Sequence, residues 1–190
     1  MAQVGTNDLK PGMKLEIEND PYNVVGVEFV KPGKGQEFTR TKLKNLKTGR
    51  VVEKTYKSNE KLELADVEET QMRMLYKEGD GIVFMHDTSY EQLLIPLETI
   101  HDKEPYMVED IVYDLILYKG EVIDVTPPTF LHMTVTETAP GVRGDTASGR
   151  VLKPATTDSG AHIQIPIFIE EGEVVKVDTR TGEYVSRVKE

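Results

Sequence analysis

The stretch Lys31-Pro32-Gly33-Lys34-Gly35-Gln36 lies between two runs of the chain, 22–30 and 37–46, that are rich in β-branched and aromatic residues. Such runs, bounded by Gly and Pro, are typical of β-strands. We therefore expect a β-hairpin whose turn carries the ammonium group of Lys34. The same pattern is also typical of a plain surface turn with a solvated lysine, so the rest of the chain has to distinguish the two.

The local residue types favour a tight reversal of the chain around Lys34. Pro32 fixes its own φ and biases Lys31 toward an extended conformation. Gly33 and Gly35 can adopt a positive φ without steric cost. Because glycine has no side chain, the lysine at the turn is not shielded by its two neighbours.

The remainder of the chain predicts an all-β protein. Short apolar runs are separated by Gly- and Pro-containing turns about every ten residues, which favours small β-barrels or sandwiches. Helix is scarce, with one short candidate at 97–102. The predicted strands are 14–17, 22–30, 38–46, 51–57, 70–76, 82–86, 92–95, 111–118, 121–125, 131–137, 149–152, 162–167, 173–178 and 184–188.

The charge distribution divides the chain into three parts of similar length. Residues 1–64 contain 12 Lys and Arg against 9 Asp and Glu, residues 65–127 contain 4 against 15, and residues 128–190 contain 7 against 9. The Pro127-Pro128 pair forms a stiff connector at the second boundary. We expect three consecutive small barrels, 1–64, 65–127 and 128–190, of which the first can bind polyanions although the whole chain has a net charge of −10.

One predicted strand carries cations at alternate positions. Phe38, Arg40, Lys42 and Lys44 share one face because side chains in a strand alternate with a period of two. Three cations in line near Lys34 are suited to contact backbone phosphates. The alternative is a solvated face, or a sheet edge protected by charge.

Several classes of site find no support in the sequence. There is no cysteine, and His86, His101, His132 and His162 lack the spacing of metal ligands. A phosphate-binding loop needs Ser or Thr after Lys34, where Gly35 stands instead. No signal-peptide pattern and no membrane-length apolar run is present, so we expect a soluble, cytoplasmic protein without metal, cofactor or catalytic residues.

Several spaced segments together resemble the bacterial elongation factor P family. Val30 to Gln36 resembles the modification loop of the family, and Pro140-Gly141-Val142-Arg143-Gly144-Asp145-Thr146 resembles a loop of its third domain. Lys153-Pro154-Ala155-Thr156, with Gly160, Pro166 and Gly172, follows the carboxy-terminal signature, as does the stretch from 173 to 187. The likeness extends over the whole chain without a large insertion or gap.

This resemblance implies a fold and an activity. The implied fold is an SH3-like, KOW-type barrel followed by two OB-fold barrels in an elongated, L-shaped, tRNA-like monomer. The implied activity is that of a translation elongation factor, not an enzyme, which binds both ribosomal subunits beside peptidyl-tRNA and relieves stalling at consecutive prolines.

The resemblance also implies roles for individual residues. Lys34 is the modified residue, often carrying a β-lysyl group added by a dedicated ligase, and it positions the CCA end of the peptidyl-tRNA. Gly144, Asp145 and Thr146 contact the codon region of the exit site. The remaining loop residues are Lys31, Pro32, Gly33, Gly35 and Gln36. The charge pattern, and not the resemblance, adds one further expectation. Arg40, Lys42 and Lys44 should contact phosphates of the RNA backbone.

Two other classes of function remain alternatives. A generic single-stranded RNA-binding protein built from OB-folds needs aromatic stacking platforms, whereas the chain has no Trp and only Phe38 within the basic strand. An enzyme using Lys34 as a Schiff-base or general-base lysine needs a desolvated pocket, which a turn between glycines does not provide.

Overall fold

Short strands follow one another throughout the computed structural model, which describes residues 2–141 and 151–189. The first six strands are Gln3–Gly5 (β1), Lys14–Ile17 (β2), Asp20–Val30 (β3), Phe38–Asn45 (β4), Val51–Lys57 (β5) and Lys61–Leu64 (β6). The next five are Val67–Glu78 (β7), Gly81–Met85 (β8), Gln92–Pro96 (β9), Val112–Tyr118 (β10) and Glu121–Thr126 (β11). The last five are Phe130–Thr138 (β12), Leu152–Thr157 (β13), His162–Pro166 (β14), Val174–Asp178 (β15) and Glu183–Arg187 (β16).

Helical structure among the described residues is short. A single α-helical turn, Leu97–Ile100 (α1), continues into the 3-10 helix His101–Tyr106, and another 3-10 turn covers Thr6–Asp8. The short helix predicted at 97–102 is therefore confirmed at its start.

The strands form three sheets in chain order. Their strand orders are β1-β6-β2-β3-β4-β5, β11-β10-β7-β8-β9 and β14-β13-β12-β15-β16. This arrangement confirms the prediction of an all-β chain with three small barrel-like domains. The boundaries predicted at residues 64 and 127 stay predictions.

The sequence missed or misplaced three strands. β1 and β6 pair with each other and were not predicted, since each has only three or four residues and too few for a visible alternation. β13 begins where the predicted strand 149–152 ends, and the first half of that predicted segment, 149–150, lies outside the described residues. Pro154 obscured β13, because a proline within a run argues against a strand.

By density of contacts the chain divides into two compact units, residues 1–70 with 115–124, and residues 71–114 with 125–190. The core of the first unit is built around Leu9, Leu15, Val24 and Leu43. β4 alternates strictly, so that Thr39, Thr41, Leu43 and Asn45 are buried and the residues between them are exposed. The hydroxyl of Thr41 donates to the carbonyl of Lys54 at 2.9 Å, which satisfies a polar group in this interior.

The second unit has its own apolar core. Buried residues of β12 to β15 form it, and Tyr106, Val108 and Ile111 pack against it. Tyr113 is buried in the same unit, where its hydroxyl accepts from the N–H of Val108 and donates to the carbonyl of Tyr106, each at 2.8 Å. Burial raises the pKa of Tyr113 to about 12, so this hydroxyl stays protonated at neutral pH.

Candidate functional site

The predicted hairpin is formed by β3 and β4. The two strands pair antiparallel up to the rungs Phe29↔Thr39 and Val30↔Phe38, with one irregularity between Val24 and Gly26. Residues 31–37, here termed the tip loop, continue beyond the last rung, and all of them are exposed. The sequence therefore placed Lys34 correctly at the end of a projecting hairpin.

The two glycines of the tip loop differ in conformation. Gly35 has a φ of +114°, a value that residues with a side chain rarely adopt. Gly33 stays outside this region, and a Cβ added to it would meet nothing within 4 Å. The reversal therefore depends on Gly35, whereas Gly33 leaves open space beside Lys34.

The cations of the tip loop differ in their partners. Nζ of Lys31 lies 3.5 Å from a carboxylate oxygen of Glu37, and this pair bridges the two ends of the loop. Within the described ranges, the side chain of Lys34 has no hydrogen bond, ion pair or ring contact. The amine is therefore exposed and accessible to a ligand.

Arg40, Lys42 and Lys44, the basic face, are exposed on one side of β4, as the alternation predicted. At two residues per repeat, neighbouring cations are spaced by about 6.6 Å along the strand. Two of them have acidic partners: Arg40 lies 3.1 Å from Glu28, and Lys42 lies 3.7 Å from Glu53.

These acidic partners follow from strand register. Glu28 is opposite Arg40 on β3, and Glu53 is opposite Lys42 on β5. Of the three cations of the basic face, Lys44 alone lacks a carboxylate partner within the described part of the chain. Exposed ion pairs contribute little, about 0–1 kcal/mol, so phosphates can compete for these cations. Both glutamates are visible in the sequence, but their pairing becomes evident only once the register is known.

Sequence reasoning missed two residues close to the tip loop. Phe29 precedes the tip loop on β3 and is 51% exposed, although a period-two pattern offers no reason for an exposed aromatic ring there. Lys57 of β5 lies opposite Phe38 and adds a cation to the basic side of the sheet. The alternation Val51, Glu53, Thr55, Lys57 is a signal that could have identified Lys57.

A second Lys-Gly hairpin lies between β10 and β11. Lys119 and Gly120 have φ values of +51° and +81°, consistent with a tight two-residue turn. Nζ of Lys119 lies 3.1 Å from a carboxylate oxygen of Glu16, whose side chain is 8% exposed, and 5.0 Å from the ring centre of Tyr118. The hydrogen bond from Lys119 is the main cause that lowers the pKa of Glu16 below its ordinary value.

The other predicted segment, Gly144, Asp145 and Thr146, lies outside the described residues. Within the described ranges, no group of three or more His, Asp or Glu side chains is arranged to hold a metal ion. Among the described residues, no helix is both long enough and apolar enough to cross a membrane.

Comparison with known proteins covers nearly the whole chain. Residues 5–62 match the family model described as the elongation factor P KOW-like domain, residues 67–125 match its OB domain, and residues 131–187 match its C-terminal domain. The chain is 59% identical over 188 residues to elongation factor P 2 of Protochlamydia amoebophila, covering 99% of each chain. It is 57% identical, with the same coverage, to elongation factor P 2 of Chlamydia trachomatis.

A solved structure supports the fold alone. The eukaryotic translation initiation factor 5A from Methanococcus jannaschii superposes with a TM-score of 0.54 at 23% identity, covering 66% of this chain and 92% of the other.

Proposed function

The chain belongs to the elongation factor P family, a family of translation elongation factors that interact with the ribosome, and on this premise we propose that it acts beside peptidyl-tRNA. There it stimulates peptide-bond formation when consecutive prolines stall synthesis. Proline reacts slowly because its ring restricts its geometry and its nitrogen is secondary. The factor itself carries no catalytic residue in this proposal.

The observation that carries the proposal is the position of Lys34. Its amine stands at the end of a loop of exposed residues, with no partner among the described side chains. A narrow projecting hairpin can enter a cleft that excludes a globular domain. By holding the CCA end of the peptidyl-tRNA in a reactive position, it lowers the entropic part of the barrier without taking part in the chemistry.

We further propose that Lys34 is modified, by a β-lysyl group added by a dedicated ligase. Such a group lengthens the arm and adds an amine, which can form charge-assisted hydrogen bonds to RNA backbone oxygens. The accessible amine and the open space beside Gly33 support this proposal, because the enzyme needs access to the lysine from its flanks.

The basic face extends the proposed contact away from the tip. Arg40, Lys42 and Lys44 contact backbone phosphates of the same RNA, together with Lys31 at the base of the tip loop. Such contacts supply affinity that falls with salt and carries little sequence information. A second contact is proposed for Gly144, Asp145 and Thr146, which would contact the codon region of the exit site. This second contact is with the small ribosomal subunit.

The test is reconstituted translation of a message that encodes three consecutive prolines. We expect protein from its native host to shorten the stall and the Lys34→Ala variant to lose this effect. Lys10→Ala, which removes another exposed lysine of the same domain, is the matched control and should behave as the unaltered protein. Equal rescue by the Lys34→Ala variant would remove Lys34 from the mechanism, and no rescue by correctly modified protein would refute the proposed function.

One observation supports a second candidate, a generic single-stranded RNA-binding protein. Such proteins stack bases on aromatic rings, and Phe29 presents a half-exposed ring on β3 of the hairpin. This candidate predicts equal binding to unstructured RNA and to the ribosome. If the protein affects translation equally with and without consecutive prolines in the message, the generic RNA-binding protein is favoured over the translation factor.

A further inference from the structure

A wide groove, here termed the C-terminal groove, lies along β13 and β14 on the outer side of the last sheet. The register pairs Leu152 with Pro166 and Pro154 with Gln164, and these four residues line the groove. They share one face because directly opposite residues of an antiparallel pair point to the same side of the sheet. The turn between β15 and β16 also lines the groove, and all of the lining residues belong to the second compact unit.

The groove presents apolar side chains to solvent. Leu152 is 49% exposed and Phe168 is 58% exposed, and Val151 and Val185 are exposed as well. Alternate residues of β13, such as Ala155, point into the core instead, so the exposed side chains are not part of the barrel interior. Single exposed apolar side chains are common, whereas several that line one groove are typical of a binding surface.

The charges that line the groove are acidic. They belong to Glu137, Glu171 and Glu183, and no Lys or Arg is found among the described lining residues. Glu171 accepts from the backbone N–H of Thr138 at 3.1 Å, whereas Glu137 and Glu183 form no ion pair within residues 2–141 and 151–189. These two carboxylates can therefore bind a cation without first losing another.

Two cations beside the groove already have partners. Nζ of Lys153, a buried residue, donates to the carbonyl of Ala139 at 2.6 Å. The guanidinium of Arg187 lies 5.8 Å from the ring centre of Phe168 and is paired with Glu173. Neither cation is paired with a carboxylate of the groove, which leaves the groove suited to a positively charged ligand.

Charge and size disfavour three other classes of ligand. The second and third strands of an OB-fold often bind oligonucleotides, and β13 and β14 are those strands here, but the lining carboxylates repel phosphates. The groove volume of about 1460 Å³ exceeds the range of about 300–1,000 Å³ that is typical of small-molecule sites. A second copy of the chain, docked symmetrically, would bring the same carboxylates together.

We propose that the C-terminal groove binds an extended polypeptide segment that combines apolar residues with Lys or Arg. The apolar side chains cover Leu152 and Phe168, and the long stems of the basic residues reach Glu137 and Glu183. The inference rests on the proposed function for the source of this segment, which is then a basic arm of a ribosomal protein. Basic arms are typical of proteins that bind nucleic acid.

Peptide binding tests the chemistry of the ligand without ribosomes. The probes are two short fluorescein-labelled peptides of equal charge, one alternating Lys with Val and the other alternating Lys with Ser. We expect the Lys-Val peptide to bind the full chain about tenfold more tightly, because only its side chains can cover the apolar surface. Equal binding of the two peptides would show attraction by net charge alone and would overturn the proposal.

Substitutions locate the bound peptide. Glu137→Gln/Glu183→Gln removes two charges at nearly constant size and should weaken binding of the Lys-Val peptide about fivefold. Leu152→Ala should weaken it by a similar factor, about fivefold. Glu109→Gln and Leu94→Ala are the matched controls, since they alter an exposed carboxylate and an exposed leucine of the same unit outside the groove. Unchanged binding in both groove variants, with circular dichroism showing them folded, would refute the site.

Position-specific cross-linking tests the source of the segment. p-Benzoylphenylalanine replaces Leu152 in the full chain, and complexes with ribosomes stalled on a triple-proline message are irradiated. We expect mass spectrometry to find cross-links to a Lys- or Arg-rich segment of a ribosomal protein, and the same probe at Leu94 should give none to that segment. Cross-links from position 152 to ribosomal RNA alone, to a second copy of the chain, or to nothing would overturn the proposal.

These experiments distinguish failure of this inference from failure of the proposed function. If the protein does not rescue stalled ribosomes but binds the Lys-Val peptide, and the groove variants lose this binding, the groove stands and the proposed function fails. If rescue is normal, the two peptides bind equally and position 152 gives no cross-link to protein, the groove fails and the proposed function stands.

Discussion

Two hairpins of the first unit present the same dipeptide, Lys-Gly, in different surroundings. Lys34-Gly35 lies in the tip loop, in which every residue is exposed, and Lys34 has no partner among the described side chains. Lys119-Gly120 forms a tight turn, and the Lys119 amine is held by Glu16 and the ring of Tyr118. A positive φ at the glycine is common to both.

The comparison teaches that the neighbours of a lysine decide its role, more than the turn that carries it. Glu16 is largely buried, and Tyr118 is also approached by Lys47, whose Nζ lies 5.3 Å from the ring centre. Lys119 is therefore part of the packing of the unit. Lys34 is stabilised by nothing within the described chain, so its amine is available for a reaction or a ligand.

The largest expected effect concerns stability at the Lys119 hairpin. Tyr118 is 7% exposed and the amines of Lys47 and Lys119 lie 5.3 and 5.0 Å from its ring centre, so Tyr118→Ala should lower the free energy of unfolding by about 3 kcal/mol. Phe29→Ala, which removes a half-exposed ring near the other hairpin, should cost less than half as much. Urea unfolding followed by circular dichroism measures both, and equal losses would contradict the distinction between a structural and an available hairpin.

The next effect concerns the chemistry of Lys34. Arginine keeps the positive charge but lacks the primary amine that a ligase acylates. Lys34→Arg should therefore reduce rescue at consecutive prolines by about tenfold, equivalent to about 1.4 kcal/mol in the barrier. Lys119→Arg should retain rescue, because it changes only a structural cation.

Mass spectrometry completes this comparison. In protein from the native host, the peptide that contains Lys34 should be heavier than its encoded mass, and the peptide that contains Lys119 should not. An unshifted mass at Lys34 would refute the modification and leave the family assignment unaffected.

The parts of this site that the sequence could predict depend on local patterns. Pro32 and the glycines predicted the turn, and period-two alternation predicted the common face of Arg40, Lys42 and Lys44. Both depend on neighbours within a few residues, so no knowledge of the tertiary fold is needed.

The parts that the sequence could not predict depend on pairing between distant segments. The ion pairs of Arg40 and Lys42 need the register of three strands. Asn7 and Ser58 hydrogen-bond to each other although 51 positions separate them in the chain. The short strands β1 and β6 likewise depend on distant partners, since β6 pairs with both β1 and β2. Propensity over three or four residues is too weak to reveal such elements.

A smaller effect concerns the basic face. Lys44 has no carboxylate partner among the described residues, whereas Lys42 must exchange Glu53 for a phosphate. Lys44→Ala should therefore weaken ribosome binding about threefold, and Lys42→Ala less. Each lost phosphate contact should also flatten the dependence of log affinity on log salt by about 0.7. Titrations at several KCl concentrations measure this slope, and an unchanged slope for Lys44→Ala would exclude it from the phosphate contacts.

The smallest expected effect is a pH dependence confined to the Lys119 hairpin. The pKa of Glu16 is lowered in the folded protein, chiefly by the hydrogen bond from Lys119. Its carboxylate therefore contributes stability that is fully present above the unfolded pKa of about 4.3 and is lost as the pH falls through the lower folded value. Glu16→Gln should be less stable than the unaltered protein at pH 7, and the difference should shrink below about pH 4.

The partner variant decides whether this effect belongs to the ion pair. Lys119→Met removes the cation, and its stability should lose the same part of the pH dependence as that of Glu16→Gln. The double variant Glu16→Gln/Lys119→Met should be little less stable than either single variant. Urea unfolding at a series of pH values measures all three. If the plots of unfolding free energy against pH run parallel for the variants and the unaltered protein, Lys119 does not stabilise the Glu16 carboxylate. The contrast between the two Lys-Gly hairpins would then depend on Tyr118 alone.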